Sequence, residues 1–418
     1  MTRFSRPLLD ACTAAFAAVL PLEQPADATL SAFFHSHPKI GQRDRATIAD
    51  SVYAALRRRR LLERVAATLS PRRLALATWT ALLGANLREL DPWLRGDEAE
   101  WLASVKRDAA GPQPFEVQCE LPDWTIERLR TRYDESALLA LAKGLLQSAP
   151  LDLRVNSLKI SREAALERLA ADGIRAATTP YSPEGIRLQE KPAINRHPLF
   201  LQGNIEVQDE GSQLLCHLVA PKRGEMVVDF CAGAGGKTLA LGALMRSTGR
   251  LYAFDISPKR LAGLKPRLAR SALSNVHPQR IEGVNDARVK RLAGKIDRVL
   301  VDAPCSGLGT LRRNPDMKWR QTSEDVAELV EKQKSILAAA ARLVKPGGRL
   351  VYATCSILEQ ENRGIVEDFL RNAQFTLRPA CEVLEKGGIR LQVEEYLELW
   401  PHRHGTDGFF AAVLERAA

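Results

Sequence analysis

The chain is poor in the features that brace small secreted or metal-bound folds. Its seven cysteines (Cys12, Cys119, Cys216, Cys231, Cys305, Cys355 and Cys381) are odd in number, scattered, and never spaced Cys-x-x-Cys. That pattern excludes a disulfide framework and a zinc site, and no metal is expected. Aromatic residues are only 6% of the chain, too few for one long stacking platform along a single strand. No run reaches the roughly 18 apolar residues a membrane helix needs, so no membrane span is expected. Glycine (27) and proline (23) stand near their average shares, which excludes collagen-like and low-complexity classes. Residues 11–20 are alanine-rich, but Asp10 and Cys12 fit an amphipathic helix better than a leader. A reduced, cytoplasmic setting is the expected one.

What the chain does have is length, core-forming material and positive charge. Its 418 residues, 45% hydrophobic and 26% charged, suit two to three globular domains. Lys and Arg outnumber Asp and Glu by 60 to 50, a net charge of +10. That excess suits a polyanionic partner such as RNA or DNA, although an anionic membrane surface would also accept it.

Three regions differ in pattern. Residues 1–145 read as helical, with apolar side chains at helical spacing through 8–20, 48–69 and 73–90. Ser70-Pro71 marks a helix start. Arg57 to Arg60 spread all round a helix, either as a solvated face or as an RNA-touching one. Gly111, Pro112 and Pro114 suggest a hinge. Residues 146–205 read as a small α/β module, with strand-like alternation at 151–158, a helix at 162–172, and short extended runs at 186–188 and 199–201. From 206 to 418, near-continuous apolar strands alternate with helices, the mark of a parallel sheet covered on both faces. The expected fold class is therefore α/β, with a doubly wound domain at the C-terminal end.

In such sheets the ligand lies beyond the carboxyl ends of the strands. The first strand, 226–229, runs into Asp229-Phe230-Cys231-Ala232-Gly233-Ala234-Gly235-Gly236-Lys237-Thr238. Glycines there admit a ligand close to the backbone, beside a positive helix end. A phosphate-binding P-loop needs glycine five places before Gly236, where this chain has Cys231. Asp255 ends the second strand at a spacing that suits ribose hydroxyls, in either NAD or S-adenosylmethionine. Asp286, beyond the third, is a candidate for the adenine amino group or a simple loop cap. The fourth strand ends in Asp302-Ala303-Pro304-Cys305-Ser306-Gly307 and the fifth in Thr354-Cys355-Ser356. Neighbouring strands lie about 4.8 Å apart, so both thiols could face one pocket. A redox pair is the competing use, without a thioredoxin-type motif to support it.

The glycine loop, the Asp-Ala-Pro-Cys-Ser-Gly run and the Thr-Cys-Ser run together resemble the RsmB/NOP/SUN family of RNA cytosine-C5 methyltransferases. Arg154-Val155-Asn156-Ser157-Leu158-Lys159, Val207-Gln208-Asp209-Glu210, Asn314-Pro315-Asp316 and His404-Gly405-Thr406-Asp407-Gly408-Phe409-Phe410 agree as well, in the family's order over about residues 150–416. The N-terminal helices resemble the NusB-like RNA-binding domain of the bacterial ribosomal RNA members, chiefly through residues 41–46. One departure stands out. The family carries Ala-Ala-Pro before Gly-Gly-Lys-Thr, and this chain has Ala232-Gly233-Ala234. The loop thus loses a fixed φ and gains a freer residue.

The resemblance implies a Rossmann-like class I methyltransferase domain with a mostly parallel seven-stranded sheet, preceded by an all-α NusB-like domain and a small RRM-like module. It implies S-adenosyl-L-methionine as cofactor and RNA as substrate, ribosomal RNA ahead of transfer RNA; a monomer is the default expectation, since nothing resembles a coiled coil. Cys355 would add to carbon 6 of cytosine and make carbon 5 nucleophilic. Asp302 would hydrogen-bond the ring nitrogen, and Cys305 would assist removal of the carbon-5 proton. Cys231, Ala232, Gly233, Ala234, Gly235, Gly236 and Lys237 would wrap the cofactor, with Asp255 on the ribose, Asp286 on the adenine, Asp302 near the sulfonium, and Arg260 within reach or merely solvent-exposed. The target base would leave its stack to enter. The rival readings are a DNA cytosine-C5 methyltransferase using Cys305 as nucleophile, a noncatalytic RNA-binding assembly factor, and an amino-group methyltransferase. The last needs an Asn/Asp-Pro-Pro-aromatic motif that Asp302-Ala303-Pro304-Cys305 lacks.

Overall fold

The computed structural model describes residues 4–67 and 70–418. The chain divides into two compact units, Met1–Gln147 with Thr310–Ser323, and Ser148–Gly309 with Glu324–Ala418.

The first unit is helical among its described residues. Its core gathers Phe16, Val52, Leu62, Trp79 and Leu102, and the Trp79 indole N–H finds Ser51 Oγ at 2.9 Å. The periodic stretch 48–69 is not one helix. It breaks at Arg58 (φ −114°, ψ 34°), between helices Gln42–Arg57 and Arg59–Ala66, and its end at Thr68 and Leu69 lies outside the described residues. The arginine run therefore does not spread over one helix. Arg58 lies 3.6 Å from Glu120, Arg59 2.7 Å from Glu63 and Arg60 2.5 Å from Asp123, while Arg57 donates to the Arg312 carbonyl at 2.8 Å. Pro71 opens Pro71–Ala81 as expected from Ser70-Pro71. The stretch 310–323 is built into this unit by long-range bonds. Trp319 Nε1 donates to the Leu56 carbonyl at 2.7 Å, and the buried Lys318 ammonium donates to the carbonyls of Glu120 (2.5 Å) and Arg57 (3.2 Å). These satisfy carbonyls that a helix C-terminus leaves open.

The second unit holds two sheets. The smaller is antiparallel throughout, in the order β2-β3-β1-β4, with β1 Leu151–Val155, β2 Ala176–Thr178, β3 Gly185–Leu188 and β4 Ile205–Val207. The helix Arg162–Ala171 and the sheet bury Leu153, Leu169, Ile186 and Ile205 together. Residues 199–201, expected to be extended, are instead the helical turn Pro198–Leu201. Pro198 presets its first φ, and His197 Nδ1 accepts the Leu199 N–H at 3.2 Å.

The larger sheet comprises β5 Met226–Asp229, β6 Arg250–Asp255, β7 Val276–Arg280, β8 Ile296–Asp302, β9 Val344–Thr354, β10 Phe375–Arg378, β11 Leu397–Leu399 and β12 Phe409–Arg416. Its order is β10-β12-β9-β8-β5-β6-β7. The five strands from β9 to β7 run parallel, and β12 joins them antiparallel. Seven strands stand abreast as expected. The eighth, β11, shares one edge of β12 with β10: β11 pairs Phe409 to Ala411 and β10 pairs Val413 to Arg416. Three residues, Leu-Glu-Leu, are too short to announce a strand by alternation. The parallel strands bury Val227, Val228, Leu251, Val299, Leu300 and Val351. The chain leaves β5 toward β6 and β7, then returns to β8 on the other side. That reversal places the crevice at the carboxyl ends of β5, β6 and β8.

Candidate functional site

The glycine loop closes as a tight turn, the Gly235 N–H donating to the Ala232 carbonyl at 2.9 Å. Gly233 and Gly235 adopt φ of +56° and +82°. A Cβ on Gly235 would sit 2.1 Å from Leu264 Cδ1, so only glycine lets the turn seat on the helix Pro258–Ser271. Asp255 pins it from the next strand. One carboxylate oxygen accepts the Gly233 N–H at 2.8 Å and the other the Ser257 N–H at 2.7 Å.

Beneath the loop, Asp229 is fully buried. Its Oδ2 accepts the Thr238 hydroxyl at 2.7 Å, and Oδ1 has no hydrogen-bond partner among the described residues. Burial pushes its carboxyl up to about 7, against the pull of the Thr238 hydroxyl and with help from the nearby Asp302 charge. Between its ordinary value and 7 the folded state holds a proton that the unfolded chain has lost, so stability falls as pH rises through that window. Asp229→Asn is therefore expected to be the more stable protein at pH 8, by on the order of 2 kcal/mol, with the gap closing by pH 4. Urea midpoints at the two pH values check this, and a gap independent of pH would contradict it.

The β8 and β9 ends meet at one place. Asp302 stands opposite Ala353 in the register, and just beyond, Cys305 Sγ lies 3.3 Å from Cys355 Sγ. The Cys355 N–H also points at Cys305 Sγ, at 3.3 Å. The hydrogen bond to Cys355, then burial, then the nearby Glu361 charge, hold Cys305 well above the ordinary thiol range. Either thiol can donate to the other across this contact. Lys237 reaches across from the glycine loop to Asp302, Nζ to Oδ2 at 2.6 Å. Burial opposes the ammonium, but the charge and hydrogen bond of Asp302 outweigh it and raise Lys237 above its usual value. A P-loop lysine would be aimed at phosphates. Here it is committed to a carboxylate.

Behind the thiols lies a buried polar network that the motifs alone did not reveal. The fully buried Glu361 carboxylate accepts from the Ser306 N–H (2.8 Å), Gln333 Nε2 (2.9 Å) and the Ser356 hydroxyl. Ser306 and Ser356, each following a cysteine, are themselves 3.0 Å apart. Asn362 holds the Thr354 hydroxyl at 2.5 Å and the Ser356 carbonyl at 3.0 Å. The Asp407-Gly408 turn closes the site from the last strand. Gly309 N–H donates to the Cys355 carbonyl, Gly408 N–H to the Gly309 carbonyl, each at 2.8 Å, and a Cβ on Gly309 would meet Gly408 O at 2.2 Å.

The remaining expected residues sit as follows. Cys231 is half-buried, and burial raises its thiol above the usual range. Ala232 is buried and Ala234 is open to solvent. Arg260 is exposed on the first turn of Pro258–Ser271, its backbone N–H on Ser257 Oγ at 3.3 Å. Asp286 caps the short helix Ala287–Lys290. It accepts the N–H groups of Glu282 and Arg288 at 2.9 and 2.7 Å and pairs with the Arg288 guanidinium at 3.2 Å. These bonds hold Asp286 well below the usual carboxylate range. The cleft it borders measures about 680 Å³. Two further features had gone unread. Ile256 stands 52% exposed immediately after Asp255, an apolar surface at the rim. Arg154 and Arg267 reach the glycine loop's carbonyls. A large apolar residue left exposed after a strand-end acid was the available signal for the first.

Among the described residues no helix is long and apolar enough to cross a membrane. A sequence model of the 16S rRNA methyltransferases RsmB/F matches residues 216–415, and one of the ferredoxin-like domain of RsmF/B-like methyltransferases matches 121–195. The chain is 36% identical over 303 residues to a probable ribosomal RNA small subunit methyltransferase B of Synechocystis, covering 72% of this chain and 68% of that one. It is 38% identical over 296 residues to the ribosomal RNA small subunit methyltransferase B of Pectobacterium carotovorum, covering 70% and 66%. The match thus spans about two thirds of these relatives' length. The crystal structure of PH0851 superposes with a TM-score of 0.77 at 26% identity over 99% of each chain. With the glycine turn, the strand-end acids and the paired thiols in one crevice, and this similarity in sequence and fold, the chain belongs to the RsmB/F family of 16S rRNA methyltransferases.

Proposed function

We propose that this protein transfers a methyl group from S-adenosyl-L-methionine to carbon 5 of a cytosine in RNA, ribosomal RNA being the expected substrate, through a covalent bond between Cys355 and carbon 6. The observation that carries the reading is the 3.3 Å approach of Cys305 and Cys355 at adjacent strand ends, beside the Lys237–Asp302 pair.

The residues fit the cofactor. The carboxylate of Asp255 retains acceptor capacity for ribose hydroxyls beyond its two backbone bonds, and Ile256 offers an apolar face next to it for a base. No atom lies within 4 Å of where a Gly233 Cβ would be, which leaves room for a ligand against the turn. Asp255 and Asp302 bring two carboxylates to the strand ends, Asp302 beside the Lys237 ammonium. S-adenosylmethionine would supply an electrophilic methyl on a sulfonium.

The chain's own groups then divide the work. Carbon 5 of cytosine is a weak nucleophile, and addition of a thiolate at carbon 6 turns it enamine-like. Cys355 makes that bond as a thiolate, its proton passed to solvent, from a position 3.3 Å from Cys305 Sγ. Addition makes the ring nitrogen basic; it takes up a proton from solvent, and its N–H then donates to the Asp302 carboxylate, which Lys237 orients. After transfer the ring nitrogen gives up its added proton, Cys305, its own S–H proton released to solvent, takes the carbon-5 proton, and the C–H electron pair re-forms the 5,6 double bond as Cys355 leaves as a thiolate. Asp286 is the residue proposed for the adenine amino group, from a capped loop whose own cleft is lined by residues 282–288 and Arg291. Arg260 stays in solvent. The helical unit and the net positive charge hold RNA.

The test is a denaturing gel for a protein–RNA adduct. Cys305→Ala incubated with small-subunit ribosomal RNA and S-adenosylmethionine is expected to trap RNA covalently, and Cys305→Ala/Cys355→Ala to trap none. If wild type methylates RNA while neither variant traps it, the two thiol roles are wrong. A Cys355→Ala single variant run beside them reads the DNA-type alternative: if it traps RNA while Cys305→Ala does not, the nucleophile is Cys305.

A further inference from the structure

The glycine loop of this chain lacks the proline that fixes φ in its family, yet the structure holds its backbone from outside. Arg267 Nη1 donates to the Ala234 carbonyl at 2.8 Å, and Arg154 Nη1 to the Gly236 carbonyl at 2.6 Å. The two carbonyls flank Gly235, the residue with the most positive φ of the turn. Both guanidiniums are anchored in the small antiparallel sheet. Glu206 on β4, 4% exposed, grips Arg267 through Oε2, at 3.0 Å from Nε and 2.9 Å from Nη2. Arg154 on β1, 5% exposed, is bonded to Gln208 Oε1, whose amide continues to Ser212 Oγ at 3.0 Å. A carbonyl held by an anchored guanidinium cannot rotate its peptide plane, which is the freedom that the missing proline and the added Gly233 would otherwise return to the loop.

We infer that Arg267 and Arg154 are positioning residues that hold the proline-free loop in its cofactor-binding conformation, so that the small module governs cofactor affinity. This rests on the S-adenosylmethionine reading above. The same geometry supplies its own control. Arg270 also pairs with Glu206, Nη2 to Oε1 at 2.7 Å and Nε to Oε1 at 3.1 Å, and its guanidinium lies 4.0 Å over the Phe200 ring, with no bond to the loop. A purely structural role of the Glu206 cluster would be disturbed by losing either arginine.

The experiment is calorimetric titration of the full chain with S-adenosyl-L-homocysteine. Arg267→Met is expected to bind about tenfold more weakly than wild type, the loss of one charge-assisted hydrogen bond. Arg267→Lys, which keeps one donor, should fall between. Arg270→Met should bind within twofold of wild type, although thermal midpoints of the two methionine variants drop together. Should Arg267→Met fail to fold, Arg267→Lys against Arg270→Met carries the comparison. Wild-type affinity in the folded Arg267 variants overturns the inference. So does an Arg270→Met loss as large as that of Arg267→Met. If wild type itself binds none of the probe, the cofactor reading falls and the inference with it, an outcome distinct from the other two.

Discussion

Cys355→Ala is expected to lower methyl transfer by on the order of 10⁴-fold or more, as removal of a covalent nucleophile does elsewhere, while binding of S-adenosyl-L-homocysteine stays within twofold. The two readouts separate because the residues fitted to the cofactor lie at the ends of β5, β6 and β8 and beyond β7, whereas Cys355 follows β9. The substitution also leaves a small void beside Cys305 Sγ, now 3.3 Å from its partner sulfur, but Cys355 is only half-buried and the backbone bond from Gly309 to its carbonyl remains available. Folding should therefore survive. Filter-bound radiolabelled methyl and titration calorimetry make the measurement. Methylation at a tenth of the wild-type rate or more would remove Cys355 as the nucleophile.

Glu361→Ala is expected to cost about 3–5 kcal/mol of stability, more than the removal of either cysteine. Three donors converge on this fully buried carboxylate, and an orphaned buried donor costs roughly 1–3 kcal/mol. Glu361→Gln keeps the volume and one acceptor oxygen but brings an N–H₂ toward donors already in place, so about half the loss is expected. Because Ser306 and Ser356 follow the two cysteines directly, activity should fall further than stability alone explains. Urea denaturation gives the first quantity and methyl transfer well below the unfolding midpoint the second. A change under 1 kcal/mol for the alanine variant would mean that the donors find other partners.

Much of the site was legible from local pattern. An apolar strand of four to seven residues ending in an acid announces itself, because a parallel strand buried on both faces has no polar alternation to blur it. Asp229, Asp255 and Asp302 were read in that way, and the structure puts each at a strand's carboxyl end. The glycine loop is likewise local, since positive φ at Gly235 demands the residue found there. The helical half was harder. Apolar spacing ran unbroken through 48–69, but Arg58 leaves the helix, and the four arginines that looked like one charged surface have separate partners. Residues 199–201 are apolar in either state, and Pro198 decided for a helical turn.

By itself the sequence determined the main strands and helices of the C-terminal sheet and which side chains stand at their ends, because periodicity and turn chemistry act over a few residues. The tertiary structure decided what those side chains do to one another. Cys305 and Cys355 meet across 50 residues, Lys237 and Asp302 across 65, Arg154 and the Gly236 carbonyl across 82, and Lys318 and the Glu120 carbonyl across 198. No spacing rule covers such pairs. Each forms because burial leaves a polar group few available partners, and which those are depends on how the sheets and helices pack.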